Sequence, residues 1–190
     1  MATAGPNAPG TMADDAAVGT TAWVNPGNVA SSNNTYAIAN PSYDEDYVPT
    51  HYLKCTNFGF AIPSGATIDG IQVVVERRDD FFGTLDKVVS LVKGGAVSGD
   101  NKKSALTWSD STSDEIINYG GVADLWGLTL TYSDVNASNF GVVIQAETLD
   151  DGDMGKAAKV DFVSITITYT VGAGGLSIPV AMQSYRQRRV

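Results

Sequence analysis

The chain has 190 residues, 43% of them apolar and 17% charged, with a formal net charge of −9. That is enough for one sizeable domain with a real core, and it excludes wholesale disorder. The acidic sum argues against a chain-wide nucleic-acid surface, and no apolar run approaches the ~20 residues of a membrane-spanning helix. The single cysteine, Cys55, and single histidine, His51, leave no intrachain disulfide and no metal site built from cysteines or several histidines. Cys55 is expected to pack as a small apolar residue.

Residues 1–22 hold Ala, Gly, Thr, Pro and Asp with no aromatic side chain. They read as an extended or mobile N-terminal arm, because little apolar surface is present to offset the entropy of ordering. The opening MATAGPNAPG has neither a basic nor an apolar signal-peptide region and reads as a native start. Trp23 marks the start of packed structure. Strands are expected at Thr35–Ala39 and at His51–Phe60, with Leu53 and Cys55 facing opposite to Tyr52, Lys54 and Thr56.

The stretch Phe58–Arg78, FGFAIPSGATIDGIQVVVERR, turns at Pro63–Gly65 and enters a central strand. Ile71, Val73 and Val75 share one face, Gln72, Val74 and Glu76 the other, and Arg77–Asp80 close the strand with charge. Further strands are expected at Leu85–Lys93, Ala105–Trp108, Asp114–Tyr119, Leu128–Tyr132, Phe140–Thr148 and Lys159–Thr170. Ser133–Asn136 reads as one helical turn, and Trp126 as cover for an open end of the core. Short strands between turn signals, with no sustained 3.6-residue period, predict an all-β chain. Long irregular connections favour an antiparallel, jelly-roll-like β-sandwich over residues 23–171. No internal repeat is seen.

After Val171 the run Gly172–Gly175 reads as a hinge. Residues 172–190 are then a C-terminal assembly arm. Leu176, Ile178, Pro179 and Val180 form an apolar strand-like peptide, followed by Tyr185 and the basic end Arg186, Arg188 and Arg189. Such a peptide suits main-chain addition to a neighbour's sheet edge. Residues 1–171 carry nine positive against 21 negative charges, or −12, so the basic end suits an acidic partner such as another copy.

Catalytic chemistry finds little support. Asp79–Asp80 and Asp114–Glu115 are adjacent carboxylates, which point apart in an extended chain rather than across a glycosidase cleft. With one histidine a Ser-His-Asp triad is weakly supported. The glycine runs at 94–99 and 172–175 lack the ending of a phosphate loop. Asp150, Asp151 and Asp153 form a weak calcium candidate without EF-hand spacing, and Asp44–Asp46 is read as a solvated turn. The expectation is a non-enzymatic chain with no cofactor. Trp108 and Trp126 support an alternative, a carbohydrate- or receptor-binding module whose indoles stack on a host surface glycan.

The stretch Phe58–Arg78 resembles a phrase of tailed-bacteriophage structural proteins, in which a Phe, an Ile-Pro turn, Gly-Ala and alternating Ile and Val introduce a core strand. Tyr119–Thr131, Asp134–Asn136, Phe140–Val142 and the Leu176–Val180 ending with its arginines resemble the same modules. The resemblance spans residues 23–190. It implies a virion structural protein: a head decoration or a neck or tail component. Its partners would be other virion proteins and copies of itself, with no direct nucleic-acid or membrane contact, and it would be located in the virion.

Overall fold

The structure, a computed structural model, describes residues 1–40, 47–80, 83–110, 112–149 and 157–172. Among the described residues, twelve strands form two antiparallel sheets packed face to face: β1 Ala2–Asn7, β2 Thr11–Asp15, β3 Trp23–Val24, β4 Ala37–Ala39, β5 Tyr47–Pro49, β6 Tyr52–Thr56, β7 Thr67–Asp79, β8 Thr84–Lys93, β9 Ala96–Ser98, β10 Glu115–Gly121, β11 Gly141–Leu149 and β12 Ala158–Thr170. A 3-10 turn at Pro26–Val29 and one helix, α1 (Tyr132–Asn136), interrupt them. One sheet runs β10-β7-β12-β4-β3, the other β2-β6-β11-β8-β9, with β1 added to β12 and β5 to β11.

Without the short additions, the order β10-β7-β12-β4 faces β6-β11-β8-β9. From β6 to β8, and again from β10 to β12, the chain crosses to the opposite sheet at each step. This is the winding of an eight-stranded jelly roll, the antiparallel sandwich that the strand pattern predicts.

Alternation explains the core. On β7, Ile71, Val73 and Val75 are buried and face Ile167, Ile165 and Val163 of β12 in register, while Gln72, Val74 and Glu76 are half-buried outside. Leu53, Cys55, Val89, Leu91, Val142 and Ile144 fill the facing sheet. Cys55 is buried and free, and burial pushes its thiol up to about 12.

Four expectations are corrected. Residues 1–22 are not an arm outside the domain: β1 pairs with β12, and β2 pairs with β6 over Thr11–Asp15. Main-chain pairing needs no large side chains, so a segment without aromatics can complete an edge. The second correction concerns Arg77–Asp80, read as closing β7 with charge. Arg77 and Asp79 continue its inward face and are fully buried. Thirdly, Ala105–Trp108 belongs to no strand. It follows a stretch anchored along β8, where Lys102 N–H donates to Val89 O (2.8 Å), and Trp108 N–H donates to Thr84 O (2.8 Å). Lastly, Leu128–Tyr132 is not a strand either. Thr131 caps α1, its side chain accepting from Asp134 N–H while the Asp134 carboxylate accepts from Thr131 N–H (2.8 Å), a reciprocal cap that ends the extended run.

Candidate assembly edge

The two flanks of the sandwich are built differently. On the flank away from β7 and β8, the N-terminal segment pads the outer strands: β1 continues the edge begun by β4, β3 covers β4, and β2 covers β6. Asp14 of β2 fastens this cover. One of its carboxylate oxygens accepts from Trp23 N–H at 2.8 Å, and the other lies 2.9 Å from His51 Nδ1. Trp23 Nε1–H donates to His51 O at 2.9 Å. Asp15 takes the Lys54 ammonium at 3.0 Å, and this hydrogen bond holds its carboxyl below the usual range. The lone histidine is therefore bound to a strand-pairing carboxylate.

The other flank ends on β9, three residues long, and on β10, seven residues long. β10 pairs with β7 from Glu115↔Arg77 to Gly121↔Ile71, and it is the terminal strand of its sheet. Its inward residues, Glu115, Ile117 and Tyr119, are at least half-buried, whereas Ile116, Asn118 and Gly120 are exposed. Ile116 is 60% exposed. Sheet edges are ordinarily blunted by proline, charge, shortness or irregularity. β1 carries Pro6 and a register shift, β2 carries two aspartates, and β3 and β9 are very short. Among the described residues, Ile116–Tyr119 has none of these protections.

A buried polar network holds β10 from within. Arg77 of β7 binds Asp86 of β8 through Nη1, donates to Tyr119 OH (2.7 Å), and reaches Glu115 Oε1 through Nε (2.9 Å). Asp86 also accepts from Tyr119 OH (2.8 Å), Trp108 Nε1–H (2.9 Å) and Ser104 N–H (2.9 Å). The guanidinium carbon lies 4.8 Å from the centre of the Trp108 ring. Arg77 and Asp86 side chains are both fully buried. Such a pair survives burial because each charge is matched and hydrogen-bonded. Burial also raises the Tyr119 hydroxyl well above its usual range.

The suspected carboxylate pairs are split between the two faces. Asp79 is buried and accepts from Thr84 N–H at 2.9 Å, while Asp80 lies outside with Arg78 and Lys159. Glu115 points inward to Arg77. Asp114 meets Arg78 and Tyr36, and burial raises its carboxyl pKa. Arg78 in turn lies 4.9 Å from the Tyr36 ring centre.

Trp108 and Trp126 are 1% and 0% exposed, so neither offers a ring face to a sugar. This corrects the stacking expectation. Trp126 instead closes the core, its Nε1–H donating to Ile71 O at 3.0 Å. It fits beneath Gly120 (φ 68°), where a Cβ would come within 2.5 Å of the indole nitrogen. An open recess lined by Thr20, Thr21, Ala22, Val24 and Asn40 contains no titratable side chain. Among the described residues, no three His, Cys, Asp or Glu side chains are grouped to hold a metal, and no helix is long and apolar enough to cross a membrane.

Leu176, Ile178, Pro179, Val180, Tyr185, Arg186, Arg188 and Arg189 lie outside the described residues, as do Asp44–Asp46, Asp150, Asp151 and Asp153. The sequence reading missed the edge of β10 and the Arg77 network. Continuing the period-two pattern through Val73, Val75, Arg77 and Asp79 would have placed both charges inside. No family model, no curated protein and no solved structure matches the chain.

Proposed function

We propose that this chain is a structural subunit of a tailed-phage virion, a head decoration or a neck or tail component, which holds neighbouring copies through its C-terminal segment. The sandwich serves as a rigid block, and the arm of residues 172–190 supplies the contact. The observation that carries the reading is the open β10 edge, since an unblunted strand invites main-chain pairing with another chain. The resemblance carried by Phe58–Arg78 and by the Leu176–Val180 ending supports the virion setting. The acidic body and the basic arginines at 186, 188 and 189 support contact between copies.

The test is the mass of the intact chain and of a 173–190 deletion, by light scattering over a range of concentrations. The intact chain is expected to self-associate and the deletion to be monomeric. A deletion that associates as the intact chain does would overturn the arm. For the virion setting, the chain should be found in many copies in purified particles; its absence there would overturn that part.

A further inference from the structure

The reading above leaves open where the arm binds. Resting on that reading, we infer that the arm's receptor is the β10 edge of a second copy, with Leu176–Val180 added as an antiparallel strand beside Asp114–Asn118, so that Ile178 lies opposite Ile116.

Three observations point there. The first is the pattern of the arm. Successive residues of a strand direct their N–H and C=O groups to opposite edges, and Pro179 has no N–H. A strand added to β10 therefore turns Pro179 and Ser177 away. The main-chain groups of Leu176, Ile178 and Val180 are left to bond with β10, and their three side chains fall on one face. On the outer face that row covers Ile116, which is 60% exposed in the isolated chain.

The second observation is charge. β10 begins at Glu115, beside Asp114 and the exposed Asp110, and ends at Gly120–Gly121. Antiparallel pairing places Leu176 towards the glycine end and Val180 towards the acidic end. The chain then continues past Asp114 and Asp110, where Arg186, Arg188 and Arg189 meet opposite charge. A parallel strand would carry the arginines away from it.

The third observation is reach. β12 ends at Thr170, opposite Thr67, whereas β10 ends opposite Ile71. Leu176 beside Asn118 of the molecule's own β10, which is opposite Val74, would thus lie three strand spacings across, ~14 Å, and seven residues back, ~23 Å. Thr170 to Leu176 spans only ~20 Å when fully extended, short of the ~27 Å that self-docking in this register demands. That chain would also have to pass the place where Gly70 is packed against the Val122 backbone, a Cβ at Gly70 coming within 2.3 Å of it. A neighbour's edge imposes neither demand.

The experiment compares the intact chain, the 173–190 deletion and the double variant Ile116→Lys/Asn118→Lys, which places charge on two exposed positions of β10. Mass is measured by sedimentation, and amide hydrogen exchange is followed at Ile116–Tyr119, with β2 as internal reference. The deletion and the double variant should both be monomeric, and exchange at Ile116–Tyr119 should be about tenfold faster in the deletion while β2 is unchanged. If the deletion is monomeric but the double variant assembles normally with unaltered exchange, the arm stands and β10 is not its receptor. If Ile116–Tyr119 is protected in an intact chain that stays monomeric at every concentration, the arm docks on its own domain and the second copy is ruled out. If the deletion assembles normally, the arm itself fails.

Discussion

The covered flank and the open flank of this sandwich solve one problem by opposite means. Both end in strands whose outer main-chain groups need partners or protection. On one flank the chain supplies its own cover, β1 on β12, β2 on β6 and β3 on β4. On the other, β10 pairs with β7 and is held from inside by Arg77, Asp86, Trp108 and Tyr119, while among the described residues no strand covers its outer edge. A flank tied by main-chain ladders is stable but finished. One tied through buried side chains keeps its ladder free for another strand.

The sharpest way to break this contrast is Arg77→Ala. It leaves the Asp86 charge buried without its counter-ion, and removes the Arg77 bonds to Asp86 on β8 and to Glu115 and Tyr119 on β10. Breaking a buried pair in this way costs ~3–5 kcal/mol. Urea unfolding should show that loss, and hydrogen exchange should rise first at β10, with β2 and β6 affected last. Uniform acceleration on both flanks would mean that the network supports the whole core rather than the open flank.

Asp14→Ala tests the covered flank. It removes the acceptor of Trp23 N–H and the partner of His51. The Asp14 side chain is about one-quarter exposed, so solvent compensates in part and the expected cost is ~1–2 kcal/mol. Exchange should rise at β2 and β3 and stay unchanged at β10.

The contrast between the flanks was only partly legible in the sequence. Strands β7 and β10 follow from alternation, because each buries one face and exposes or half-buries the other; β8, β11 and β12 follow from dense runs of β-branched residues, β11 being buried on both faces from Gly141 to Ala146. The Trp126 closure and the turn at Ser133–Asn136 were also readable, since an isolated tryptophan beside glycines and a local capping pattern are short-range signals. β1 and β2 were not. Ala2–Asn7 and Thr11–Asp15 become strands because the edges of β12 and β6 need partners, a demand set by residues far along the chain. Arg77 looked like the end of a strand because charge is costly to bury. Asp86, nine residues on, and Glu115 and Tyr119, some forty residues on, make it affordable, and no local pattern shows that they converge.

The smallest effect expected separates the flanks by pH. Cys55 sits on β6 opposite Met12 of β2, and burial pushes its thiol up to about 12 from an ordinary value of 9.0. Above pH 9 the unfolded chain loses this proton while the folded chain keeps it, so the unfolded state binds fewer protons and stability falls as pH rises. The loss is ~1.4 kcal/mol by pH 10. Tyr119, raised by burial on the open flank, adds the same sign only where free tyrosine begins to ionise, near pH ~10. Unfolding midpoints between pH ~8 and ~9.5, below the range where the raised Tyr119 and Tyr36 contribute strongly, should therefore fall in the parent chain and fall much less in Cys55→Ala, whatever that variant's baseline. Tyr119→Phe should retain the parent slope over the same interval. If Cys55→Ala keeps the full slope, the alkaline sensitivity belongs to another group, and β2 does not seal the thiol beneath it.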